Sequence, residues 1–343
     1  MLSAVVVGAG HIGRQHVAAV RALPGARVEA VCDLSPATAA MVAERYGVPS
    51  SYTQLEDALA ELRPDVVHVA TPVGAHVAGA RAALDAGANV IVEKPAAPSH
   101  EEVVALVREA EAAGRGLVED YNYVFDARVQ RTLAMLEAGE LGELLHVDVE
   151  FFLDLRGAAG AVGAASNERA PVPPGAAADI LPHLCSLSNA FAGRHRGVKT
   201  IWEAEGGSPI GLRALVEGER ATATLGFSAS AQPDQFVVRV EATQGHVEIG
   251  LFEPIFVLRR PRSGPRPLTP LINLSAAAGS LLRGGAGGLR RKLKGGAGSY
   301  EGLWNLVGHC YAAWGSDTPP PLSGGDVLAV NDLARDILAE APR

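Results

Sequence analysis

Short apolar runs and amphipathic segments alternate along the first third of the chain, and this alternation predicts strands and helices in turn. The apolar runs are rich in β-branched residues, as expected for strands that are buried on both faces of a sheet. They lie at 4–7, 27–32, 65–70, 89–92 and 116–118. Strands that alternate with helices favour right-handed crossovers and a parallel sheet. We therefore predict an α/β domain over residues 1–120.

Capping signals mark where the helices between these strands begin. Ser35 precedes a proline, and the pair is typical of a helix N-terminus. Thr53 with Glu56, and Ser99 with Glu102, have the Ser/Thr-x-x-Glu spacing of a capping box. Each signal therefore predicts a helix that starts within a few residues of it.

The pattern changes after residue 120, where a helix over about 125–138 leads into strand-like runs joined by short turns. The runs lie at 143–153, 199–205, 211–217, 221–228, 236–242, 246–251 and 255–258. Neighbouring strands with short turns predict an antiparallel sheet. Helical spacing returns at 300–314 and 326–339. We predict a second, α+β domain over residues 121–343, built on one open, mostly antiparallel sheet.

Composition narrows the class of protein. Residues of the AVILMFWYC set make up 48% of the 343 residues, and the formal net charge of −8 argues against a general nucleic-acid binder. The three cysteines are far apart and odd in number, so we predict no metal site, no disulfide scaffold and a reducing cytoplasm. The first residues lack the basic start of a signal peptide, and no run of about 18 apolar residues could span a membrane.

A glycine-rich segment follows the first predicted strand. It reads Gly8-Ala9-Gly10-His11-Ile12-Gly13. The first glycine permits a tight turn, the second lets a pyrophosphate approach the backbone, and the third allows close helix–strand packing. Asp33 ends the second strand, where it can accept hydrogen bonds from a ribose diol while its charge opposes a 2′-phosphate. We predict a site for NAD rather than NADP; a purely structural turn and a site for another nucleotide are the alternatives.

Lys94 lies in the segment Glu93-Lys94-Pro95, directly after the apolar run at 89–92. In an open parallel sheet the ligand crevice lies at the carboxyl ends of the strands, so this position aims the lysine at the pocket. An ammonium group there can donate a hydrogen bond to a substrate hydroxyl and stabilise the alkoxide as hydride leaves. The alternative is a solvated surface lysine.

Asp179 and His183 are four residues apart, a spacing that puts both side chains on one face of a helix. His183 can take a hydroxyl proton near neutral pH, and Asp179 can orient the ring or raise its basicity. Asp179 also stands where an N-cap could lie, with Pro182 in the first turn that follows. A purely structural aspartate and histidine are therefore the alternative.

The chain resembles the Gfo/Idh/MocA oxidoreductase family, which includes glucose–fructose oxidoreductase and inositol dehydrogenase. The glycine-rich segment, Ala70-Thr71-Pro72 with His76, the EKP of Glu93–Pro95 and the D-x-x-x-H of Asp179 and His183 come in the order of that family. The stretch VQRTLAMLEAGELGE also fits, so the resemblance covers nearly the whole chain. It implies a Rossmann domain followed by an open antiparallel sheet, and hydride transfer between a nicotinamide and a sugar or cyclitol carbinol.

The resemblance implies a role for each candidate residue. It implies that His183 acts as the general base and that Lys94 is the donor that stabilises the alkoxide. It implies that Asp179 is a partner of the substrate or of His183. The implied cofactor-binding residues are Gly8, Gly10, His11, Ile12, Gly13, Asp33, Ala70, Thr71, Pro72, His76, Glu93, Lys94 and Asn122. The implied substrate-binding residues are Lys94, Asn122, Arg156, Asn167, Asp179 and His183. For His76, a structural capping role is the alternative.

Two functions from different classes fit these residues. The first is an NAD-dependent dehydrogenase or ketoreductase of a sugar, a cyclitol or a nucleotide-linked sugar. The second is a non-catalytic regulator that senses a sugar or the cofactor on the same fold; the presence of both Lys94 and His183 favours the enzyme. Members of the resembling family are commonly dimeric or tetrameric, and an open sheet face also favours a homo-oligomer.

A basic, glycine-rich segment, at about 259–298, interrupts the acidic chain. Between residues 254 and 300 the sequence has nine basic residues and no acidic one. Arginine side chains can grip phosphate oxygens bidentately, so the segment favours a sugar phosphate or nucleotide sugar as substrate. Leucines precede the basic cluster, which also suits peripheral contact with an anionic membrane. A solvated loop is the third possibility.

Overall fold

The computed structural model describes residues 1–155, 172, 175–261, 271–275, 277–279, 281–282, 284–285 and 300–342. The chain folds into two compact units. The first consists of Met1–Phe125 and Tyr300–Asp332, and the second of Asp126–Ser299 and Leu333–Arg343.

The first unit alternates strands with helices. Its strands are β1 Leu2–Val7, β2 Ala26–Cys32, β3 Ser50–Tyr52, β4 Val66–Val69, β5 Asn89–Val92 and β6 Leu117–Glu119. Its helices are α1 His11–Arg21, α2 Pro36–Tyr46, α3 Leu55–Leu62, α4 His76–Asp85, α5 His100–Ala113 and, after the second unit in sequence, α8 Glu301–Gly315. The last helix, α9 Gly324–Ala339, begins in this unit.

The six strands form one parallel sheet in the order β3-β2-β1-β4-β5-β6. The order reverses between β1 and β4, and in such sheets the ligand crevice opens at this point, beyond the carboxyl ends of the strands. Every residue of β4 is buried, as expected when helices cover both faces. One of these residues is a histidine, His68, which therefore needs a hydrogen-bond partner inside the core.

The first unit includes residues 300–332, which the sequence analysis had placed in the domain 121–343. Hydrogen bonds account for the position of α8. The side-chain amide of Asn305 donates to the carbonyl oxygen of Phe125 at 3.0 Å, and the hydroxyl of Tyr311 lies 2.9 Å from Nε2 of His68. Such long-range contacts join segments that are distant in the chain, so local patterns cannot reveal them.

The second unit is built on a seven-stranded sheet. Its strands are β7 Leu144–Asp154, β8 His195–Glu205, β9 Ser208–Gly218, β10 Thr222–Ser228, β11 Ser230–Ala242, β12 Gly245–Gly250 and β13 Ile255–Arg259, and its helices are α6 Ala127–Glu137 and α7 Ala176–Ala192. The sheet order is β13-β12-β11-β7-β10-β9-β8. Neighbours are antiparallel except β10 and β7, which are parallel.

The two faces of this sheet differ in burial. Helix α7 packs on β7, β9 and β10 and covers one face. Along β9, residues that are buried alternate with the exposed Arg213, Leu215 and Glu217. Ile201 pairs with Arg213 across β8 and β9 and is 73% exposed, and Leu215 is 54% exposed. Apolar side chains therefore stand on the face that α7 does not cover.

The fold class that the sequence predicted is confirmed: a parallel-sheet α/β unit and an α+β unit with an open, mostly antiparallel sheet. The Ser35 cap and the Ser99 capping box form as expected, since Ser35 Oγ accepts from Thr38 N–H and Ser99 Oγ from Glu102 N–H, both at 3.3 Å. The capping box at Thr53 is wrong, because α3 begins one residue later with Gln54 as its N-cap.

Most of the basic segment at 259–298 lies outside the described residues. Of its charged residues, Arg259 and Arg260 are described, and the guanidinium of Arg260 pairs with Glu140 at 2.7 Å. Within the described ranges, no helix is both long enough and apolar enough to cross a bilayer.

A buried carboxyl group closes the end of β6. Glu119 has no exposed surface, and its Oε2 accepts hydrogen bonds from the Tyr121 hydroxyl at 2.8 Å and the Asn331 amide at 2.9 Å. Burial raises the pKa of Glu119 to about 7, although both hydrogen bonds act in the opposite direction. The folded chain therefore holds a proton that an unfolded chain releases at lower pH.

We expect Glu119→Gln to flatten the pH dependence of folding stability. Because the folded pKa is raised, wild-type stability falls as pH rises from the unfolded pKa to about 7 and is constant above it. The loss amounts to about 3 kcal/mol at full ionisation. Urea unfolding at pH 5 and pH 8 checks this, with the exposed Glu44→Gln as control. A Glu119→Gln protein that loses as much stability between the two pH values as wild type would contradict the assignment.

Candidate functional site

The glycine-rich turn between β1 and α1 is shaped by close backbone contacts. A Cβ atom on Gly13 would lie 1.7 Å from the carbonyl oxygen of Gly8, and one on Gly8 would lie 2.3 Å from that of Ala70. Gly8 also has a φ of +95°, which disfavours other residues. At Gly10, by contrast, a Cβ atom would meet nothing within 4 Å, so the space beside this residue is open.

Gly10 is also the N-cap of α1, and this helix start has no side-chain cap in the described structure. The first N–H groups of a helix can bind an anion when no side chain accepts hydrogen bonds from these groups. His11 and Ile12 open the helix, and Nε2 of His11 lies 2.6 Å from the hydroxyl of Tyr300. The sequence analysis missed Tyr300, because it stands 289 residues away in the chain.

Beside the turn lies a cleft of about 550 Å³. The structure brings six of the predicted cofactor-binding residues together in it: Gly8, Gly10, Asp33, Ala70, Thr71 and Pro72. Asp33 is anchored through both oxygens, since Oδ2 accepts from Ala9 N–H at 2.8 Å and Oδ1 from Ser35 N–H at 2.9 Å. Each carboxylate oxygen can accept a further hydrogen bond from a ligand.

Ten further residues of the cleft were not predicted as site residues, and four of them are consecutive: Thr53, Gln54, Leu55 and Glu56. They follow β3, a strand of three residues that is too short to show a hydrophobic period. The signal that could have found them is positional, because the carboxyl ends of neighbouring parallel strands share one edge of the sheet. Glu56 places a second carboxylate in the lining of the cleft.

Two of the predicted cofactor-binding residues each have a buried polar atom with no hydrogen-bond partner in the described structure: Oγ1 of Thr71 and Oδ1 of Asn122. Buried polar atoms are nearly always hydrogen-bonded, so each of these needs a partner that the chain does not supply. A bound molecule with complementary polar groups would supply one. With the open backbone at Gly10 and the anchored Asp33, these residues fit a dinucleotide.

His76 is the first residue of α4 and is 1% exposed. Its Nδ1 lies 2.8 Å from the carbonyl oxygen of Pro95, and its Nε2 lies 2.7 Å from that of Thr71. The ring therefore ties the segment after β4 to the segment that carries Lys94. These contacts support the structural alternative for His76; its predicted contact with a cofactor stays a prediction.

Glu93 and Lys94 follow β5, and the peptide bond between Lys94 and Pro95 is cis. Glu93 accepts a hydrogen bond at Oε1 from Nε2 of His16, 3.1 Å away. Burial raises the pKa of Glu93, but the lowering effects, of which those of His16 come first, together outweigh it, and the net pKa is lowered. The positive charge of Lys94 also lowers the pKa of Glu93, so a carboxylate and an ammonium group lie close together here.

One set of side chains in the described ranges could hold a metal ion: His16, Glu93 and Asp120, whose ligand atoms lie within 4.8 Å of one another. The sequence analysis predicted no metal. In this structure Nε2 of His16 lies 3.1 Å from Oε1 of Glu93, and Asp120 lies next to both.

Asp179 and His183 both lie on α7, four residues apart. The N-cap of α7 is Gly175, and the backbone N–H of Asp179 donates to the Gly175 carbonyl at 3.0 Å. The N-cap interpretation of Asp179 is therefore wrong, and Pro182 lies well inside the helix. The ring of His183 stacks on Phe151 with 6.2 Å between ring centroids and an angle of 9° between planes.

The exposure of this pair fits a site that receives a ligand. Asp179 is exposed and His183 is partly exposed, with Nδ1 of His183 buried. Arg156 and Asn167, the remaining predicted substrate-binding residues, lie outside the described residues.

Comparisons with known proteins agree with this architecture. Residues 2–121 match a family model described as oxidoreductase family, NAD-binding Rossmann fold. A relative from Haloferax volcanii, D-xylose 1-dehydrogenase (NADP(+)) 2, is 27% identical over 71% of this chain and 74% of its own length.

Solved structures share the fold across both units. A levoglucosan dehydrogenase in complex with NADH and levoglucosan has a TM-score of 0.80 at 18% identity, covering 99% of this chain and 97% of its own. The WlbA dehydrogenase from Bordetella pertussis, in complex with NADH and UDP-GlcNAcA, has a TM-score of 0.74 at 19% identity, covering 99% and 95%.

Proposed function

The chain belongs to the Gfo/Idh/MocA oxidoreductase family, and we propose that it transfers a hydride between NAD and a carbinol or ketone carbon of a sugar, a cyclitol or a nucleotide-linked sugar. The observation that carries the proposal is the cleft at the switch point of the parallel sheet. There an uncapped helix start, an open Gly10 and a doubly anchored Asp33 surround the same space. A non-catalytic sensor on this fold is the alternative.

The proposed residues fall into two groups, those that bind the cofactor and those that act on the reacting hydroxyl and its proton. When bound, NAD supplies the hydride acceptor or donor. Asp33 orients the adenosine ribose through its free lone pairs, and the helix start at Gly10 binds the pyrophosphate. The Lys94 ammonium donates a hydrogen bond to the reacting oxygen and stabilises it as an alkoxide. His183 takes the hydroxyl proton as general base, and Asp179 orients substrate or base.

Carboxylates in the cleft support the choice of NAD over NADP. Asp33 and Glu56 both line it, and the residue next to Asp33 is Leu34, a side chain that cannot pair with a phosphate. A 2′-phosphate would face two negative charges there. The relative from Haloferax volcanii is named for NADP(+), so members of this group differ in cofactor and the preference needs a direct test.

We expect Asp33→Ala to narrow the preference for NAD over NADP. Loss of one carboxylate removes a ribose acceptor and part of the repulsion, which should change the ratio of the two dissociation constants by about tenfold. Calorimetric titration of both cofactors measures this ratio. Met41→Ala, an exposed apolar side chain outside the cleft, serves as control. A wild-type protein that binds NADP more tightly than NAD would overturn the assignment.

We expect Lys94→Ala and His183→Ala each to lower turnover by roughly 10²–10⁴-fold, the usual effect of losing an alkoxide donor or a general base. Cofactor affinity should be largely kept. Reduction of NAD on a panel of free polyols, cyclitols and nucleotide-linked sugars measures the effect. Lys199→Ala and His246→Ala, on strands of the second unit, are the matched controls.

The panel separates the two candidate functions. If the wild-type protein turns over a member of the panel and either variant does not, the result supports the enzyme. Near-normal turnover in a variant removes that residue from the mechanism. A wild-type protein that binds NAD and a sugar but turns over no member of the panel would favour the sensor. A preference for the nucleotide-linked sugars would support the role inferred for the basic segment.

The second unit supports a proposal about assembly. The sheet face opposite α7 carries Ile201 and Leu215 exposed, together with charged pairs such as Arg239 with Glu150 at 2.6 Å. A sheet face with exposed apolar residues is stabilised when a second copy covers it. We therefore include a homodimer or homotetramer in the proposal. Buried free thiols at Cys32, Cys185 and Cys310 also fit the reducing cytoplasm that the sequence favoured.

The mass in solution tests the proposed assembly. Light scattering after size exclusion should give a multiple of 35.5 kDa for wild type. Leu215→Lys should shift the distribution towards the monomer, since it places a charge on the proposed contact face. Met41→Lys, at a residue that is 50% exposed in the first unit, should not. A wild-type mass of one chain would exclude the oligomer.

A further inference from the structure

A short hydrogen bond joins the first residue of α1 to the start of α8. Nε2 of His11 lies 2.6 Å from the hydroxyl of Tyr300, and the two rings meet edge to face with 5.6 Å between their centroids. Tyr300 is the N-cap residue of α8 and stands 289 residues after His11 in the chain. The proposed reaction gives Tyr300 no role, although its hydroxyl lies at the helix start that is proposed to bind the pyrophosphate.

Other residues of α8 hold Tyr300 in this position. The side-chain amide of Asn305 donates to the carbonyl oxygen of Phe125 at 3.0 Å. One turn further on, a Cβ atom on Gly308 would lie 3.6 Å from Cδ2 of Leu23, just beyond the end of α1, so α8 lies against this part of the chain. The place of Tyr300 beside α1 therefore does not depend on its hydrogen bond alone.

The length of the contact indicates which group donates. A hydrogen bond from an N–H group to an oxygen is usually about 2.7–3.2 Å long, whereas a bond that a hydroxyl donates to an oxygen is shorter, about 2.5–3.0 Å. The 2.6 Å between the Tyr300 hydroxyl and Nε2 of His11 fits a hydroxyl donor. Burial also raises the pKa of Tyr300, so the hydroxyl keeps its proton. Tyr300 therefore donates, and Nε2 of His11 accepts.

This direction fixes the tautomer of His11. A neutral imidazole has one N–H group, and the bond that one nitrogen makes decides which nitrogen carries the hydrogen. Because Nε2 of His11 accepts from Tyr300, the hydrogen lies on Nδ1. Among the described residues Nδ1 has no hydrogen-bond partner, and the side chain of His11 is exposed. The Nδ1–H group is therefore open to a ligand.

The Nδ1–H group belongs to the residue that opens α1, where an anion would use the same kind of donor. Nδ1 is the ring nitrogen closer to the backbone, and His11 directly follows the N-cap Gly10. No side chain caps this helix start in the described structure, and a Cβ atom on Gly10 would meet nothing within 4 Å. The first N–H groups of α1 and the ring N–H of His11 thus add to one another as donors.

We propose that Tyr300 is a positioning residue of the dinucleotide site. By donating to Nε2 of His11 it keeps the hydrogen on Nδ1, and this N–H donates to the pyrophosphate together with the first N–H groups of α1. Tyr300 acts through His11 and does not itself contact the cofactor. The identity of the ligand rests on the proposed function; the tautomer of His11 does not.

Imidazole ¹⁵N NMR measures the tautomer directly, on the protein without cofactor or substrate at pH 8. The signal of His11, identified by its loss in His11→Ala, should show a protonated Nδ1 and an unprotonated Nε2. Tyr300→Phe should shift it towards the Nε2–H form, because no hydroxyl then donates to Nε2. Tyr46→Phe, on α2, is the matched control and should leave the signal unchanged. A wild-type His11 with its hydrogen on Nε2, or no shift in Tyr300→Phe, would overturn the proposal.

Titrations with adenosine, ADP and NAD, followed by NMR, test what the tautomer does for binding. ADP and NAD carry a diphosphate, and adenosine does not. Tyr300→Phe should weaken the binding of ADP and NAD by about tenfold each, the effect of one lost hydrogen bond to a charged group, and should leave adenosine unchanged. Tyr46→Phe should alter none of the three. An equal loss for all three ligands in Tyr300→Phe would show that Tyr300 only supports the fold, against the proposal.

A double variant tests whether Tyr300 acts through His11. His11→Ala should weaken the binding of ADP and NAD at least as much as Tyr300→Phe does. Adding Tyr300→Phe to His11→Ala should have no further effect, since the ring that it orients is gone. A further tenfold loss in the double variant would mean that Tyr300 contacts the ligand directly, and the positioning role would be wrong.

The two kinds of measurement separate failure of this inference from failure of the proposed function. A protein that binds NAD while the hydrogen of His11 lies on Nε2 keeps the proposed function and loses the inference. A protein that shows the Nδ1–H form but binds neither ADP nor NAD contradicts the cofactor assignment, and the positioning role with it. The bond between His11 and Tyr300 would then stand as a contact within the fold.

Discussion

The close approach of β1, the glycine turn and β4 is the constraint on which the first unit depends. Backbone atoms of Gly8, Gly13 and Ala70 are so near one another that no side chain fits between them. This contact fixes where α1 starts and how the helix lies on the sheet. The uncapped start of α1 then faces the crevice, while His16, between one and two turns further along the helix, faces the core and contacts His68 and Glu93. One packing contact thus sets both the open site and the buried contacts of His16.

Local sequence patterns predicted much of the fold but not its long-range contacts. β-Branched runs located most strands, since burial on both faces gives a continuous apolar run and burial on one face gives an alternation of period two. The three-residue β3 has no period, and Thr53 has the spacing of a capping box but lies one residue before the actual N-cap, Gln54. Residue 311 lies 243 positions from His68, and no local signal connects them.

The candidate site was predicted unevenly for a similar reason. Motif residues such as Gly8, Asp33 and Thr71 follow from the rule that parallel strands present their carboxyl ends at one edge, and the structure gathers them there. His16, Asp120 and Tyr300 belong to no short motif, because their chemistry comes from burial and from partners far along the chain. Sequence distance hides the environment that shifts a pKa or orients a ring.

The tie made by His76 bears on how the cleft can be redesigned. His76 uses the backbone carbonyl of Thr71, not its side chain, and the Thr71 hydroxyl has no partner in the described structure. The shape of the loop and the chemistry offered to a ligand are therefore set by different atoms of one residue. The side chain of residue 71 can therefore be varied to suit another cofactor. The carbonyl of this residue, and with it the segment that carries Lys94, keeps its position.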